Sequence, residues 1–198
     1  MPMNRPNNNG FSMIEVLVTI VILMIGLLGL AGLQARALTA QMESYQRSQA
    51  LLLLKDMADR IDTNRKNIDL YINKPVGTGT ATCPSSSDPM VAADLCEWHN
   101  ALLGSAEKQG ASNIGAMIGA RGCIYRISAA DPILGVAGQY LVVVAWQGMN
   151  STAAPDVSTA ASPGKCGQGQ YNNKDGIAEE KLHRVISLPI NIATLSAP

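Results

Sequence analysis

Three residues near the N-terminus have types and a spacing that could carry chemistry. Gly10 and Phe11 stand where a polar segment, "MPMNRPNNNG", meets an apolar one, and Glu15 lies near the start of the apolar segment. A charge in the middle of a membrane segment costs about 2.5–3.5 kcal/mol on insertion scales. Glu15 therefore needs either a position at the membrane edge or a partner of opposite charge.

The apolar segment is long enough to cross a bilayer as a helix. No residue from Val16 to Ala35 is charged, and about 20 apolar residues span the hydrocarbon core. The polar segment Met1–Gly10 carries Arg5 but no acid, which favours a cytoplasmic N-terminus. Three interpretations are open: a plain signal anchor, a cleaved secretory signal peptide, for which the apolar run is too long, and a cut after Gly10 that leaves the helix on the mature protein.

The stretch "GFSMIEVLVTIVIL" resembles the cleavage signal of type IV prepilins and pseudopilins. In that family a short basic leader ends in Gly, the next residue is usually Phe or Met, and a Glu follows four residues later. Gly10, Phe11 and Glu15 match this pattern. The resemblance, nearest to the minor pilins, implies that a prepilin peptidase cuts after Gly10 and methylates the new terminus to N-methylphenylalanine.

The resemblance also implies a role for Glu15. In the family's filaments the apolar helices pack side by side, so the carboxylate of Glu15 would neutralise the new amine of Phe11 on a neighbouring subunit. Pairing removes much of the cost of a charge in a low-dielectric layer. The alternative is a Glu15 side chain that reaches the headgroup level without an assembly role.

The function that follows from the resemblance is structural and non-catalytic. It is participation in pilus assembly or initiation, and so in twitching motility and adhesion. The implied partners are other minor pilins, the major pilin, prepilin peptidase, the inner-membrane assembly platform and a large tip-associated adhesin. The protein would cross the bacterial inner membrane once, with its head in the periplasm, and then reach the pilus at the cell surface. A type II secretion pseudopilin and a periplasmic receptor or adaptor with an uncleaved anchor remain as alternatives.

Four segments follow from this reading: a leader over 1–10, a transmembrane and assembly helix over 11–36, an amphipathic half of the same helix over 37–73, and a globular head over 74–198. In the amphipathic half, apolar positions recur at helical spacing; they are Leu38, Met42, Tyr45, Leu53, Met57, Ile61 and Ile68, with gaps at Gln46 and Gln49. Pro75 and the glycines after it end the helix near Tyr71.

The sequence predicts an α+β fold for the head, in which an antiparallel sheet covers the apolar stripe of the helix. Three strands are predicted, "CIYRIS", "QYLVVVAWQ" and "HRVISLPINI", and Pro189 suits an edge strand. The link between the first two is too short for a helical crossover, which favours antiparallel pairing. A short helix is predicted from Asp94, with Glu97 completing a capping box, to Gly110.

The four cysteines lack the paired spacing of zinc sites. In an exported head, disulfides are expected. Three connectivities are possible, and we favour Cys83–Cys96 and Cys123–Cys166 because each closes one of two loops. The longer loop, 148–176, is small and polar in composition, which favours a mobile or variable surface segment over a binding loop.

No motif indicates an enzyme. The sequence has no phosphate-binding loop, dinucleotide motif or nucleophile elbow. Its two histidines, His99 and His183, have no companion at ligand spacing, so we expect no metal or cofactor and read His99 as a surface or half-buried residue. Lysine plus arginine equals aspartate plus glutamate at 15 each, so no bulk charge points to nucleic acid.

Overall fold

The computed structural model describes residues 10–78, 82–105, 108–110, 112–113, 115, 117–131, 133, 135–171 and 180–193. The predicted leader, apart from Gly10, lies outside these residues. The chain divides into two compact units, residues 1–42 and residues 43–198. The second unit contains the predicted head, 74–198, together with residues 43–73 of the predicted amphipathic half, and is called the head below.

Helix α1 runs without interruption from Met13 to Thr63. Its first part is apolar on every side, whereas in the head only one stripe is buried, formed by Gln46, Ala50, Leu54, Met57, Ala58 and Ile61. The predicted gap at Gln46 is therefore wrong, because this side chain is 1 % exposed. Leu38, Met42 and Tyr45, which were assigned to the buried stripe, are all exposed.

The α-helix ends earlier than predicted. After Thr63 the chain tightens into a 3₁₀ segment, Arg65–Leu70, and Asn67 inside it leaves helical geometry. Tyr71 follows as its C-terminal cap and is fully buried. The apolar spacing continues to Ile68, which explains why the sequence pattern extends one regular helix too far.

In the part of the chain that the structure describes, six strands form two sheets. β1 (Val76–Gly77), β4 (Ile118–Ser128), β5 (Gly138–Gln147) and β6 (His183–Ile192) make a four-stranded antiparallel sheet in the order β1-β4-β5-β6. β2 (Lys108–Gln109) and β3 (Ser112–Asn113) pair separately. The predicted α+β class and antiparallel pairing are confirmed, and Pro189 lies in an edge strand as expected.

The central sheet has two covered faces. One face packs against α1 and α2, and its core includes Met57, Ile61, Trp98, Ile124 and Val142. The opposite face carries Cys123, Leu141 and Val143, which pack with residues of the long loop. This double burial explains why β5 is apolar on both sides.

Helix α2 spans Pro89–Leu102, so the prediction of a helix from Asp94 to Gly110 is wrong at both ends. Asp88 is the N-cap, and its Oδ1 accepts hydrogen bonds from the backbone N–H groups of Met90 at 2.9 Å and Val91 at 3.0 Å. Pro89 occupies the first turn, where a missing N–H costs nothing. The Ser-rich loop before Asp88 obscured this start signal.

Candidate functional site

The N-terminal residues present a peptide bond ahead of a helix. Gly10, Phe11 and Ser12 precede α1, and Phe11 is 85 % exposed. The carbonyl oxygen of Ser12 accepts hydrogen bonds from the N–H groups of Glu15 at 3.0 Å and Val16 at 3.3 Å. The Gly10–Phe11 bond thus lies in non-helical backbone, a form that a peptidase can bind.

Glu15 lies in the first turn of α1. The amino end of a helix carries a partial positive charge, which stabilises a carboxylate by about 0.3–1 kcal/mol at an exposed site. Within the chain, Glu15 is exposed. Its side chain therefore points to no core of its own and is free to meet a group from outside the chain.

The fold of the chain does not require a glycine at position 10. A Cβ built on Gly10 would meet no heavy atom within 4 Å, and its backbone is not in the left-handed region. A side chain would therefore cause neither a clash nor strain in the chain itself. A requirement for glycine at this position must come from outside the chain, as expected at a tight cleavage site.

The apolar part of α1 is fully exposed in the single chain. Its most hydrophobic 18-residue window has a mean hydropathy of 2.8, and none of that window is buried. Length and composition suffice for a membrane span. So large an exposed apolar surface needs lipid or other apolar helices around it.

In the head, an ion-pair cluster joins α1 to α2. The guanidinium of Arg60 contacts Asp56 at 2.9 Å, Asp94 at 3.2 Å and Glu97 at 2.6 Å. The hydroxyl of Tyr71 donates to the second oxygen of Asp94 at 2.5 Å. Partial burial acts against the charge of Arg60, but the three carboxylates outweigh it and raise the pKa of the guanidinium. Burial and the hydrogen bond to Asp94 raise the pKa of Tyr71.

His99 is buried rather than at the surface, which corrects the sequence interpretation. It is 4 % exposed, and its Nδ1 accepts a hydrogen bond from the N–H of Gly77 at 2.9 Å. This contact requires an unprotonated Nδ1, and burial lowers the pKa of the ring accordingly. His99 thereby holds the short edge strand β1 against α2.

Both disulfides are present, in the pairing that the sequence analysis favours. Cys83 bonds Cys96 in α2, and Cys123 in β4 bonds Cys166 in the long loop. Among the described residues no cysteine is free. The first bond connects a loop to α2, and the second connects the long loop to the sheet.

The described part of the long loop is exposed over residues 149–160 apart from the half-buried Pro155, whereas several positions between 161 and 171 are buried. Cys166 is fully buried and Tyr171 is 2 % exposed. The hydroxyl of Tyr171 donates to the carbonyl of Gly119 at 2.8 Å. His183 Nε2 lies 3.0 Å from the Cys166 carbonyl oxygen, and burial lowers the pKa of His183 although Glu180 opposes this. The loop thus forms the cover of the second sheet face.

A second ionic contact fixes the start of this loop to α1. Glu43 accepts a hydrogen bond from the N–H of Asn150 at 2.9 Å and lies 3.6 Å from the guanidinium of Arg184 in β6. Arg184 also donates to the carbonyl oxygen of Asn150. Sequence reasoning missed both this contact and the Arg60 cluster, because neither leaves a local motif.

In the described ranges, no group of three or more His, Cys, Asp or Glu residues could hold a metal ion. The distinguishing features are therefore the N-terminal junction, the apolar helix and a disulfide-bonded head. A long helix that is apolar at first and then packs on an antiparallel sheet is the architecture of a pilin-like protein.

Comparison with known families agrees with this class. Residues 5–31 match the prokaryotic N-terminal methylation motif, and residues 32–98 match the family described as type IV pilin Tt1218. The two matches together cover residues 5–98 and support a type IV pilin family for this chain. No curated protein and no solved structure matches it.

These matches support a pilin role. The methylation motif and the apolar helix fit a membrane-anchored pilin that is part of a pilus. Pilins are structural proteins, and the motif implies interaction with prepilin peptidase and with other pilus components.

Proposed function

We propose that the chain is a minor pilin of the PilV kind, a type IV pilus modification protein. Prepilin peptidase removes residues 1–10 and methylates Phe11, and the mature subunit joins other minor pilins and the major pilin through the inner-membrane assembly platform. Its periplasmic head then reaches the cell surface and contributes to twitching motility and adhesion, in contact with a tip-associated adhesin.

One observation carries this proposal: the methylation motif continues directly into an apolar helix that no described residue covers. A plain anchor would also be apolar, but it would not require glycine at position 10 or an acid at position 15. The fold explains neither residue, because Gly10 meets no neighbour and Glu15 is exposed. Cleavage explains the first, and charge pairing in a filament explains the second.

The pairing follows from electrostatics. Cleavage creates an amine at Phe11, and packing of apolar helices removes water from around it. An unpaired charge in such a layer costs several kcal/mol, whereas the Glu15 carboxylate of a neighbouring subunit neutralises it. The pair also fixes the axial register of one helix against the next.

The test compares Glu15→Ala with Gly10→Val in cells that make the pilus. Glu15→Ala should be cut and inserted normally, because loss of a charge makes insertion easier. Its level in sheared filaments should fall sharply. Gly10→Val should leave uncut precursor in the membrane. Immunoblots of membrane and sheared-filament fractions give both readings, and Glu15→Ala at the wild-type level in filaments would refute the pairing.

A deletion strain separates this function from that of a type II secretion pseudopilin. Loss of the chain should impair twitching and leave protein secretion intact. Loss of secretion with normal twitching would assign the chain to the secretion system instead.

A further inference from the structure

One edge of β4 is open over the C-terminal part of the strand. β1 pairs only with Arg121 and Gly122, and the N–H of Asn73 donates to the carbonyl of Ile124 at 3.1 Å. Among the described residues no strand pairs with this edge beyond that point. In an extended strand the N–H and C=O of alternate residues point to the same side. Arg126 therefore directs its N–H and C=O to the open edge.

Two cavities flank this edge, and Arg126 lines both. One, of about 480 Å³, has an apolar floor of Ile68, Tyr140 and Ile192, all at most 7 % exposed. The other, also of about 480 Å³, lies beside Tyr125 and Ile127 on the opposite face of the sheet. Side chains of an added strand alternate between the two faces, so each cavity is placed to accept alternate side chains of one extended chain.

The charge around the edge is positive. Arg65, Lys66 and Arg126 line the first cavity. Asp69 lies 3.2 Å from Arg126 and Asp62 lies 3.4 Å from Arg65, so among the described residues three cations face two carboxylates and Lys66 has no carboxylate of its own. No acidic residue is among the described residues that line the second cavity. The surroundings of the edge therefore favour acidic side chains on whatever binds.

We propose that the open edge of β4 at Arg126 binds an extended acidic peptide segment of a partner protein by strand addition. Backbone hydrogen bonds to Arg126 hold the segment, apolar side chains enter the floor of the first cavity, and acidic side chains meet Arg65 and Lys66. This is the β-augmentation mode of peptide recognition. The apolar floor and the backbone donor and acceptor favour a peptide over a nucleic acid.

The probe is the hexapeptide Glu-Thr-Val-Thr-Glu-Thr-amide, labelled with fluorescein at its N-terminus, titrated with the full chain in an uncharged detergent and read by fluorescence polarisation. In an extended strand its Glu and Val side chains lie on the same face. Two control peptides share its length: one with Lys in place of Glu, and one with N-methylated backbone amides at alternate residues. The acidic peptide should bind, and each control should bind at least about five-fold more weakly, as expected for loss of about 1 kcal/mol.

Two matched pairs of variants locate the binding. Arg126→Ala and Arg126→Pro both remove the positive charge, but only proline also removes the backbone N–H that faces the open edge. Because this N–H does not point to β5, its loss leaves the hydrogen bonds between β4 and β5 intact. Arg126→Pro should bind about five-fold more weakly than Arg126→Ala. Lys66→Glu should weaken binding about five-fold or more, whereas Lys55→Glu, an exposed site that lines neither cavity, should not.

Each variant is first checked for both disulfides by mass and for its urea midpoint. Equal binding of the Lys peptide or of the N-methylated peptide would overturn the proposal, as would equal affinities of Arg126→Pro and Arg126→Ala. Displacement of the probe by a thymidine oligonucleotide would mean a general polyanion surface, and self-association abolished by Arg126→Pro would mean a second copy on the edge. Either result would also overturn it.

Discussion

Replacing Arg60 by leucine should destabilise the head by about 3 kcal/mol, because the change leaves a buried carboxylate without its cation. The Asp94 side chain is 13 % exposed and lies 3.2 Å from Arg60. A hydrogen bond to such a charged group contributes about 1.5–3 kcal/mol. Asp56 and Glu97 are 44 % and 63 % exposed, so each adds only about 0–1 kcal/mol after screening by solvent.

Arg65→Leu is the matched control. Arg65 pairs with Asp62 at 3.4 Å, and these side chains are 46 % and 66 % exposed. Its loss should therefore cost less than about 1 kcal/mol. The leucine side chain is the same in both variants, so the difference between them isolates the cluster.

The assay is urea unfolding of the full chain in an uncharged detergent, followed by tryptophan fluorescence. Trp98 is fully buried and its indole N–H donates to the carbonyl of Leu53 at 3.0 Å, so its emission reports the packing of α2 on α1. A double-mutant cycle with Asp94→Asn should give a coupling of about 1–2 kcal/mol with Arg60→Leu. Equal midpoint shifts for Arg60→Leu and Arg65→Leu would refute the reasoning.

Two further predictions concern the head. Burial lowers the pKa of His99 below its usual value of 6.5. As the pH falls, this imidazole therefore binds a proton in the unfolded chain before it does so in the folded one. The free energy of unfolding should then decrease below about pH 6.5. His99→Gln, which keeps an acceptor for the edge strand, should show a smaller decrease in urea midpoints between pH 7.5 and pH 5; an unchanged profile would contradict the assignment. The second prediction concerns the disulfides, whose loss should destabilise the head according to the length of the loop that each one closes. For Cys123–Cys166, with a sequence separation of 43, the chain-entropy relation gives a loss of about 4 kcal/mol in the free energy of unfolding. For Cys83–Cys96, with a sequence separation of 13, it gives about 3 kcal/mol. Paired serine variants in urea test this order, and a larger loss for the shorter loop would contradict it.

The elements with a strong hydrophobic period could be predicted from the sequence. The predicted strand "HRVISLPINI" coincides with β6, His183–Ile192, and the predicted "QYLVVVAWQ" misses only Gly138 of β5. The apolar start of α1 was equally clear. The hydrophobic period of these segments is visible in residues that are close in sequence, so they can be recognised without knowledge of long-range contacts.

The helix α2 and the buried polar residues could not be predicted. Asp88 caps the helix through two backbone N–H groups, but it follows three serines and looked like part of a loop. Gln46 and His99 are polar, so the pattern placed them outside, whereas packing of the sheet buries both. Their burial depends on elements that are distant in sequence, and periodicity cannot report such contacts.

The N-terminal motif could be recognised from the sequence but not from the fold. Gly10, Phe11 and Glu15 were recognised from type and spacing, yet the fold of the chain gives them no internal role. The function proposed for them depends on a peptidase and on neighbouring subunits. The sequence motif can indicate a function with molecules outside the chain, whereas the structure of a single chain does not.

The most direct test of the account is the intact mass and N-terminal sequence of the protein isolated from cells. The mature chain should begin at N-methylated Phe11, lack residues 1–10, and contain two disulfides and no free thiol. Retention of Met1, or a cut near Ala35 that removes the apolar helix, would contradict the assignment of this chain as a processed pilin subunit.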